Sequence, residues 1–401
     1  MTGSRPLAAR LRSRRVVVAL ALGSCVALLG ASLRAASQGA QEGGAAKPPL
    51  PRDTLTEADV AGLPLLGLGD TVPGVESTPL ALARAALGRR LFFDPILSLD
   101  KTVSCASCHD PQKGFATNDV RPLGVGGQLC DRNSPPLFNR AFGTTHVWDG
   151  RAATLEAQVV MPIEHPHEMA LPLADAVARL AADAEYRALF AAAGAPEPDV
   201  ASLSAALAEF LRRLVVGDSP IDRFRAAKGK LTPQERRGLW IFDSKGRCWK
   251  CHSGPNFSDE KFHNTGVGAK EGVPEAGRFA VTGDPTDRGA FKTPTLRMVA
   301  KTAPYMHDGS LATLEEVVRF YARGGNRNEQ LDPRMEPFEI SDDDVAALVA
   351  LLEALSRRGD EAPAGAAEAD DAESEPPSAA PPATAPAPAA KPTKNGRRRA
   401  Y

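Results

Sequence analysis

Aromatic side chains make up only 5% of this 401-residue chain, and its charges nearly cancel, leaving a formal net charge of −1. Nucleic acids and other polyanions are held by surplus positive charge; its lack argues against such partners. Scarce aromatics beside 34 prolines and abundant alanine mean that parts of the chain stand outside any packed core. No segment alternates apolar and polar residues for long enough to read as a strand. Hydrophobic residues still reach 43%, which suits a globular core, and the length allows two domains.

The ends of the sequence account for the surplus of small residues and proline. Arg10, Arg12, Arg14 and Arg15 precede the apolar run VVVALALGSCVALLGASL, and Ala35, Ala36 and Ser37 follow it. A charged start, an apolar middle and small residues beyond read as an export signal over residues 1–40, which places the protein in the periplasm. The run is also just long enough to span a bilayer, so an uncleaved inner-membrane anchor is the rival reading. Residues 41–75 read as a linker. Residues 359–401, with PPSAAPPATAPAPAAKP, cannot bury apolar surface and read as a disordered tail.

Between these ends the apolar spacing is helical. TPLALARAALGRRLFF opens with Thr78 before Pro79, a helix-start signal, and LADAVARLAADAEYRALF and ASLSAALAEFLRRLVV are amphipathic. Capping boxes at Thr232–Glu235 and Thr313–Glu316 open LTPQERRGLWIF and TLEEVVRFYARGG, and Ser341 caps the helix SDDDVAALVALLEAL. The plan repeats. RRLFFD precedes SCASCHDPQKGFA, and GLWIFD precedes RCWKCHSGPNF; each copy is a helix ending in Phe-Asp, a connection and Cys-x-x-Cys-His. Two small helical domains follow, 76–222 and 223–358, joined between Gly217 and Gly229.

Of six cysteines, four form two close pairs, Cys105 with Cys108 and Cys248 with Cys251, each followed at once by a histidine, His109 and His252. A thioredoxin-like dithiol needs strand–helix context, which is missing. Zinc held by both pairs is the alternative, but zinc does not require a histidine in the same place after each pair. Covalent haem does: two thiols bond the haem edge and the adjacent histidine ligates iron. The expected fold is therefore mainly α, two cytochrome c-like helical haem domains with long loops and two covalent haem c groups. Cys130 reads as a buried small hydrophobe.

The ordered motifs CASCH, RNSPPLFN, WDGRAATLEAQ, MPIEHPHEM, CWKCH, FKTPTLRMVAKTAPYMHDGS and TLEEVVRFYARGG resemble the bacterial di-haem cytochrome c peroxidase and MauG family, from about Pro79 to Leu355. The resemblance implies that the haem on Cys105, Cys108 and His109 is the peroxide site. In the better-known members the following loop supplies a second histidine, yet Asp110 to Asn133 contains none, so iron with an open face is expected. Glu168 matches the distal glutamate that moves a proton between peroxide oxygens, accompanied by Gln158 and Pro162. His165 and His167 depart from the pattern and are candidates for a hydrogen bond or an iron ligand, or else exposed loop residues. His146 and His263 read as packing residues, and His307 is undecided.

The same resemblance makes the haem on Cys248, Cys251 and His252 an electron store, with Tyr321 as its second ligand where other members place methionine. Met298, Met306 and Met335 are the alternative ligands. Trp148 would relay electrons between the haems. Asn133, Thr302 and Pro304 match a calcium site whose neutral oxygens, completed by water, suit Ca²⁺. The implied activity is reduction of hydrogen peroxide, with electrons from a small cytochrome or a cupredoxin. Alternatives are a MauG-type enzyme that oxidises residues of a partner protein through a bis-ferryl state, and a non-catalytic di-haem carrier. Relatives of this kind are often homodimers.

Overall fold

Thr78 accepts the amide of Ala81 at 3.2 Å and Pro79 presets the first helical turn, so helix α1 runs Pro79–Phe93. The computed structural model describes residues 66–359; the export signal or anchor, most of the linker and nearly all of the tail fall outside the described residues. After α1, Asp94 caps a 3-10 turn and the chain reaches the short helix α2, Cys105–Cys108. Thr154 caps α3, Leu155–Glu164. The stretch expected as one helix after Pro172 is two, α4 (Leu173–Ala182) and α5 (Ala184–Ala192). Asp183 divides them because its carboxylate accepts the amides of Glu185 and Tyr186, capping α5 as α4 ends.

Helices α6 (Val200–Arg212) and α7 (Pro220–Arg225) complete the first half and the crossing to the second. The Thr232–Glu235 capping box opens α8, Pro233–Asp243, and a 3-10 turn follows at Cys248–Lys250. Strand β1 (Phe262–His263) pairs antiparallel with β2 (Phe291–Lys292), on either side of α9 (Phe279–Thr282). The Thr313–Glu316 box opens α10 (Leu314–Ala322), and Ser341 caps α11 (Asp342–Ala354). The fold is mainly α, as the periodicity predicts, and no helix among the described residues is long and apolar enough to cross a membrane.

Two hydrophobic cores lie along the chain. One draws on Leu87 to Leu214 and centres on Phe92, Phe115 and Phe210; the other draws on Ile221 to Leu355 and includes Phe242 and Phe257. In each, the helix before the Cys-x-x-Cys-His motif crosses the last helix of its half at a glycine. A Cβ on Gly88 of α1 would stand 1.9 Å from the Ala206 carbonyl oxygen, and one on Gly238 of α8 would stand 2.1 Å from that of Ala347. Helical alanine is intrinsically favoured over glycine by about 1 kcal/mol, but here the methyl meets backbone that cannot swing aside. We expect Gly238→Ala to destabilise the protein by about 1–3 kcal/mol, the usual cost of overpacking, read as a lower midpoint in urea with an unchanged slope.

Buried ions tie the halves together. Arg297, 1% exposed, holds the Asp222 carboxylate of α7 through two nitrogens at 2.7 and 2.9 Å. Glu260 of the second half takes Arg140 of the first at 3.0 Å and Lys292 at 3.3 Å. Satisfied pairs of this kind fix geometry more than they add stability.

Candidate active site

The Ser104 amide donates to the Ser107 hydroxyl at 2.9 Å, which starts α2 and puts Cys105 and Cys108, three residues apart, on one helix face. His109 then leaves the helix, and its Nδ1 lies 2.9 Å from the Phe115 carbonyl oxygen. The second motif copies this: His252 Nδ1 lies 3.0 Å from the Phe257 carbonyl oxygen. Both phenylalanines sit at positive φ, 55° and 49°, which turns their carbonyls inward. A carbonyl accepts only from N–H, so each imidazole carries its hydrogen on Nδ1 and leaves Nε2 as the ligating atom.

Neither close pair is joined as a disulfide, and the two pairs belong to different cores and border different cavities, so no single zinc ion is held by both. Burial pushes Cys105 and Cys248 up to about 12. Burial also pushes both motif histidines down, favouring the neutral, ligating imidazole. Two half-buried thiols and a neutral histidine beside an apolar hollow fit covalent haem in both halves.

A cavity of about 650 Å³ opens beside Cys108 and His109, and Trp148, Gln158, Pro162 and Glu168 line it. A second, of about 210 Å³ and with mainly apolar walls, is lined by Cys248, Cys251, His252 and Tyr321. Trp148 and Asn133 belong to both walls, and the Trp148 indole donates to the Asn133 carbonyl oxygen at 2.8 Å. Thr302 and Pro304 join Asn133 on the second wall. The Asn133 side-chain nitrogen donates to the carbonyls of Asp119 and Val120, both at 3.2 Å, which turns its amide oxygen the other way.

Gln158 and Pro162 stand on α3, a helix that sequence reasoning passed over. Its signal was present: Thr154 as cap, then Leu155, Val159 and Ile163, all buried at helical spacing. Pro162 inside the run obscured it, since proline removes a helix hydrogen bond. Glu168 follows in a turn, its amide donating to the His165 carbonyl at 3.0 Å and its own carbonyl accepting from Val125 at 2.8 Å. Burial pushes the Glu168 carboxyl up, opposed by the nearby His165 and Arg151.

The remaining histidines divide. His165 lines the larger cavity, and so does His146, read from sequence as packing alone. Burial, with Arg140 and Lys292 close by, pushes His146 down to about 4, leaving it neutral. His307 lies on the second wall and stacks on Phe291 with ring centres 3.5 Å apart. His263, on the same wall, is clamped by Asp259 at 2.9 Å and Asp332 at 2.6 Å. Burial works against its charge, but Asp332, the Cys251 thiol and Asp259 together push it up. Met306 and Met335 also line the second cavity with Tyr321, whereas Met298 packs against the first core. Burial and the neighbouring thiols raise Tyr321 above the usual phenol range.

Two helical cores, each closing on a neutral histidine preceded by two half-buried thiols, define the architecture of a two-haem c-type protein. Residues 82–230 match the family described as di-haem cytochrome c peroxidase. The methylamine utilization protein MauG of Methylorubrum extorquens is 42% identical over 289 residues, 71% of this chain and 82% of its own. Cytochrome c551 peroxidase of Nitrosomonas europaea is 35% identical over 70% of this chain and 81% of its own. A solved MauG-like protein associated with microbial copper homeostasis superposes with a TM-score of 0.67 at 33% identity, covering 74% of this chain and 95% of that one. The chain belongs to the di-haem cytochrome c peroxidase and MauG family.

Proposed function

We propose that the protein is an exported peroxidase that reduces hydrogen peroxide to water in the larger cavity. One observation carries the reading: Glu168, Gln158 and Pro162 line the cavity above His109, while the segment from Asp110 to Asn133 offers no histidine to close it. Cys105, Cys108 and His109, and Cys248, Cys251 and His252, would each hold a haem c, which would supply an iron face at the first site and an electron store at the second. The Glu168 carboxylate takes the proton from the near peroxide oxygen and returns it to the far one. The Gln158 amide orients the peroxide, and Pro162 closes the wall without adding a competing donor. Trp148, shared by both cavity walls, passes electrons from the second site to the first.

Tyr321 is the proposed second ligand at His252, and Asn133, Thr302 and Pro304 the proposed calcium ligands. The Asn133 geometry supports the latter, because its amide oxygen is the end left for a hard cation. Electrons come from a small cytochrome or a cupredoxin in the periplasm, where the arginine-led apolar run at Val16–Leu33 would deliver the chain, cleaved or as an anchor. A homodimer belongs to the same proposal.

Tyr321 favours a second reading, oxidation of a partner protein's residues, because a phenolate ligand makes a poor acceptor from ordinary cytochromes. Mixing the loaded protein with peroxide and a reduced small cytochrome separates the two. Rapid cytochrome oxidation supports the peroxidase; peroxide consumption without it supports the partner-oxidising reading. The ferric protein is expected to give one high-spin and one low-spin haem signal by electron paramagnetic resonance. Two low-spin signals would overturn the open site.

A further inference from the structure

Peroxide reduction has a proton demand that Glu168 alone does not meet. Each turnover breaks the O–O bond, takes two electrons from the reducing partner and two protons from water, and releases two waters. Glu168 moves the proton already on the peroxide from one oxygen to the other. The two net protons must come from solvent to the half-buried Glu168 carboxyl group.

The turn that carries Glu168 holds a chain of alternating acids and bases. His165 Nδ1 lies 3.5 Å from Glu168 Oε1, and His165 Nε2 lies 3.6 Å from Asp131 Oδ2. Asp131 Oδ1 lies 2.9 Å from His167 Nδ1. The His167 amide donates to His165 Nδ1 at 3.3 Å, so the resting imidazole keeps its hydrogen on Nε2, facing the Asp131 carboxylate. Glu168 and His165 are half-buried, with side chains 32% and 29% exposed, whereas Asp131 and His167 reach solvent at 60% and 47%. Arg151 acts on Glu168 and Arg132 on Asp131 from further off.

The segment after the first motif builds this chain. The same stretch grips the Glu168 turn: the Val125 amide donates to the Glu168 carbonyl at 2.8 Å, and the Cys130 thiol faces the His167 carbonyl at 3.4 Å. Gly124 lies so close that a Cβ there would stand 2.2 Å from the His167 carbonyl oxygen. The turn is held in place, and the acid–base order is part of its construction.

We propose that His165, backed by Asp131, is the proton relay that serves Glu168 from solvent. A solvent proton that lands on Nδ1, displacing the His167 amide hydrogen bond, makes the imidazolium, which the Asp131 carboxylate stabilises and orients. Nδ1 then gives its proton to Glu168 Oε1, directly or through one water, and returns to the Nε2–H tautomer of the resting geometry. This inference rests on the peroxidase reading, in that it takes Glu168 as the group that works on peroxide.

Ligand binding tests the relay independently of turnover. Hydrogen cyanide must surrender a proton to bind ferric iron, whereas carbon monoxide binds ferrous iron without one. In the haem-loaded protein we expect His165→Phe to slow both the peroxide reaction and cyanide association by roughly tenfold to a hundredfold, the lower part of the range for a proton-transfer group. Carbon monoxide association should stay at the wild-type rate. Added imidazole should restore part of the loss, and Asp131→Asn should give a smaller loss of the same kind. His165→Gln, closer in polarity, serves if the phenylalanine variant does not fold. Equal slowing of cyanide and carbon monoxide would overturn the relay in favour of cavity collapse. Wild-type cyanide kinetics in both His165 variants would overturn it outright. A wild-type protein inert to peroxide but with cyanide binding slowed by the substitution would sink the peroxidase reading and leave the relay standing.

Discussion

Glu168→Gln is expected to lower the second-order rate of peroxide consumption by about 10²–10⁴-fold, the contribution of a positioned proton-transfer group. Glutamine keeps the volume and the hydrogen-bonding reach of the side chain but cannot accept the peroxide proton. Haem content should be unchanged, because Glu168 sits on the cavity wall and not in either Cys-x-x-Cys-His motif. The pH profile gives a sharper test. Burial raises the Glu168 carboxyl above its ordinary value of 4.5, and only the ionised form accepts a proton. The rate should therefore fall with decreasing pH through a midpoint above 4.5, and this acid limb should vanish in the variant. Stopped-flow mixing with peroxide across the pH range checks both. A variant within tenfold of wild type, or one that keeps the acid limb, would move the proton transfer to another group, with His146 and His165 the nearest on the same wall.

Much of this site was legible in the sequence because its parts are local. Cys105, Cys108 and His109 are adjacent, and the short helix that gathers the two thiols needs no distant partner. Caps at Thr78, Thr232, Thr313 and Ser341 likewise act within one turn. What escaped depends on distant residues. Asp131 meets His165 across 34 positions, and the cavity position of His146 follows from how the halves close around Arg140, Glu260 and Lys292. Helix α3 escaped for a different reason: a proline inside it outweighed an otherwise clear apolar stripe. The single helix expected after Pro172 broke at Asp183 because one carboxylate caps two amides there, a local signal hidden by continuous amphipathic spacing.

Tyr321→Met should raise the reduction potential of the His252 haem by a substantial part of the roughly 0.8 V over which axial ligands tune haem iron. Phenolate is a hard, anionic donor that favours the ferric state, and thioether is a soft, neutral one that favours the ferrous state. Tyr321 ends its helix on the wall of the His252 cavity, one turn after Val317 and Val318, which line the same wall. A methionine there has the length to reach the same space. Burial opposes the bare phenolate, so in the proposed ligation the charge of ferric iron would have to offset that cost. Raising the potential should also let a small reduced cytochrome deliver electrons faster, shifting the enzyme toward ordinary peroxidase turnover. Met306 and Met335, which line this cavity too, are the competing ligands. If either of them ligates, Tyr321→Met leaves the potential where it was, and replacing that methionine with leucine moves it. Spectroelectrochemical titration of the three variants decides between them, and with them whether the second site stores an oxidising equivalent or passes electrons on.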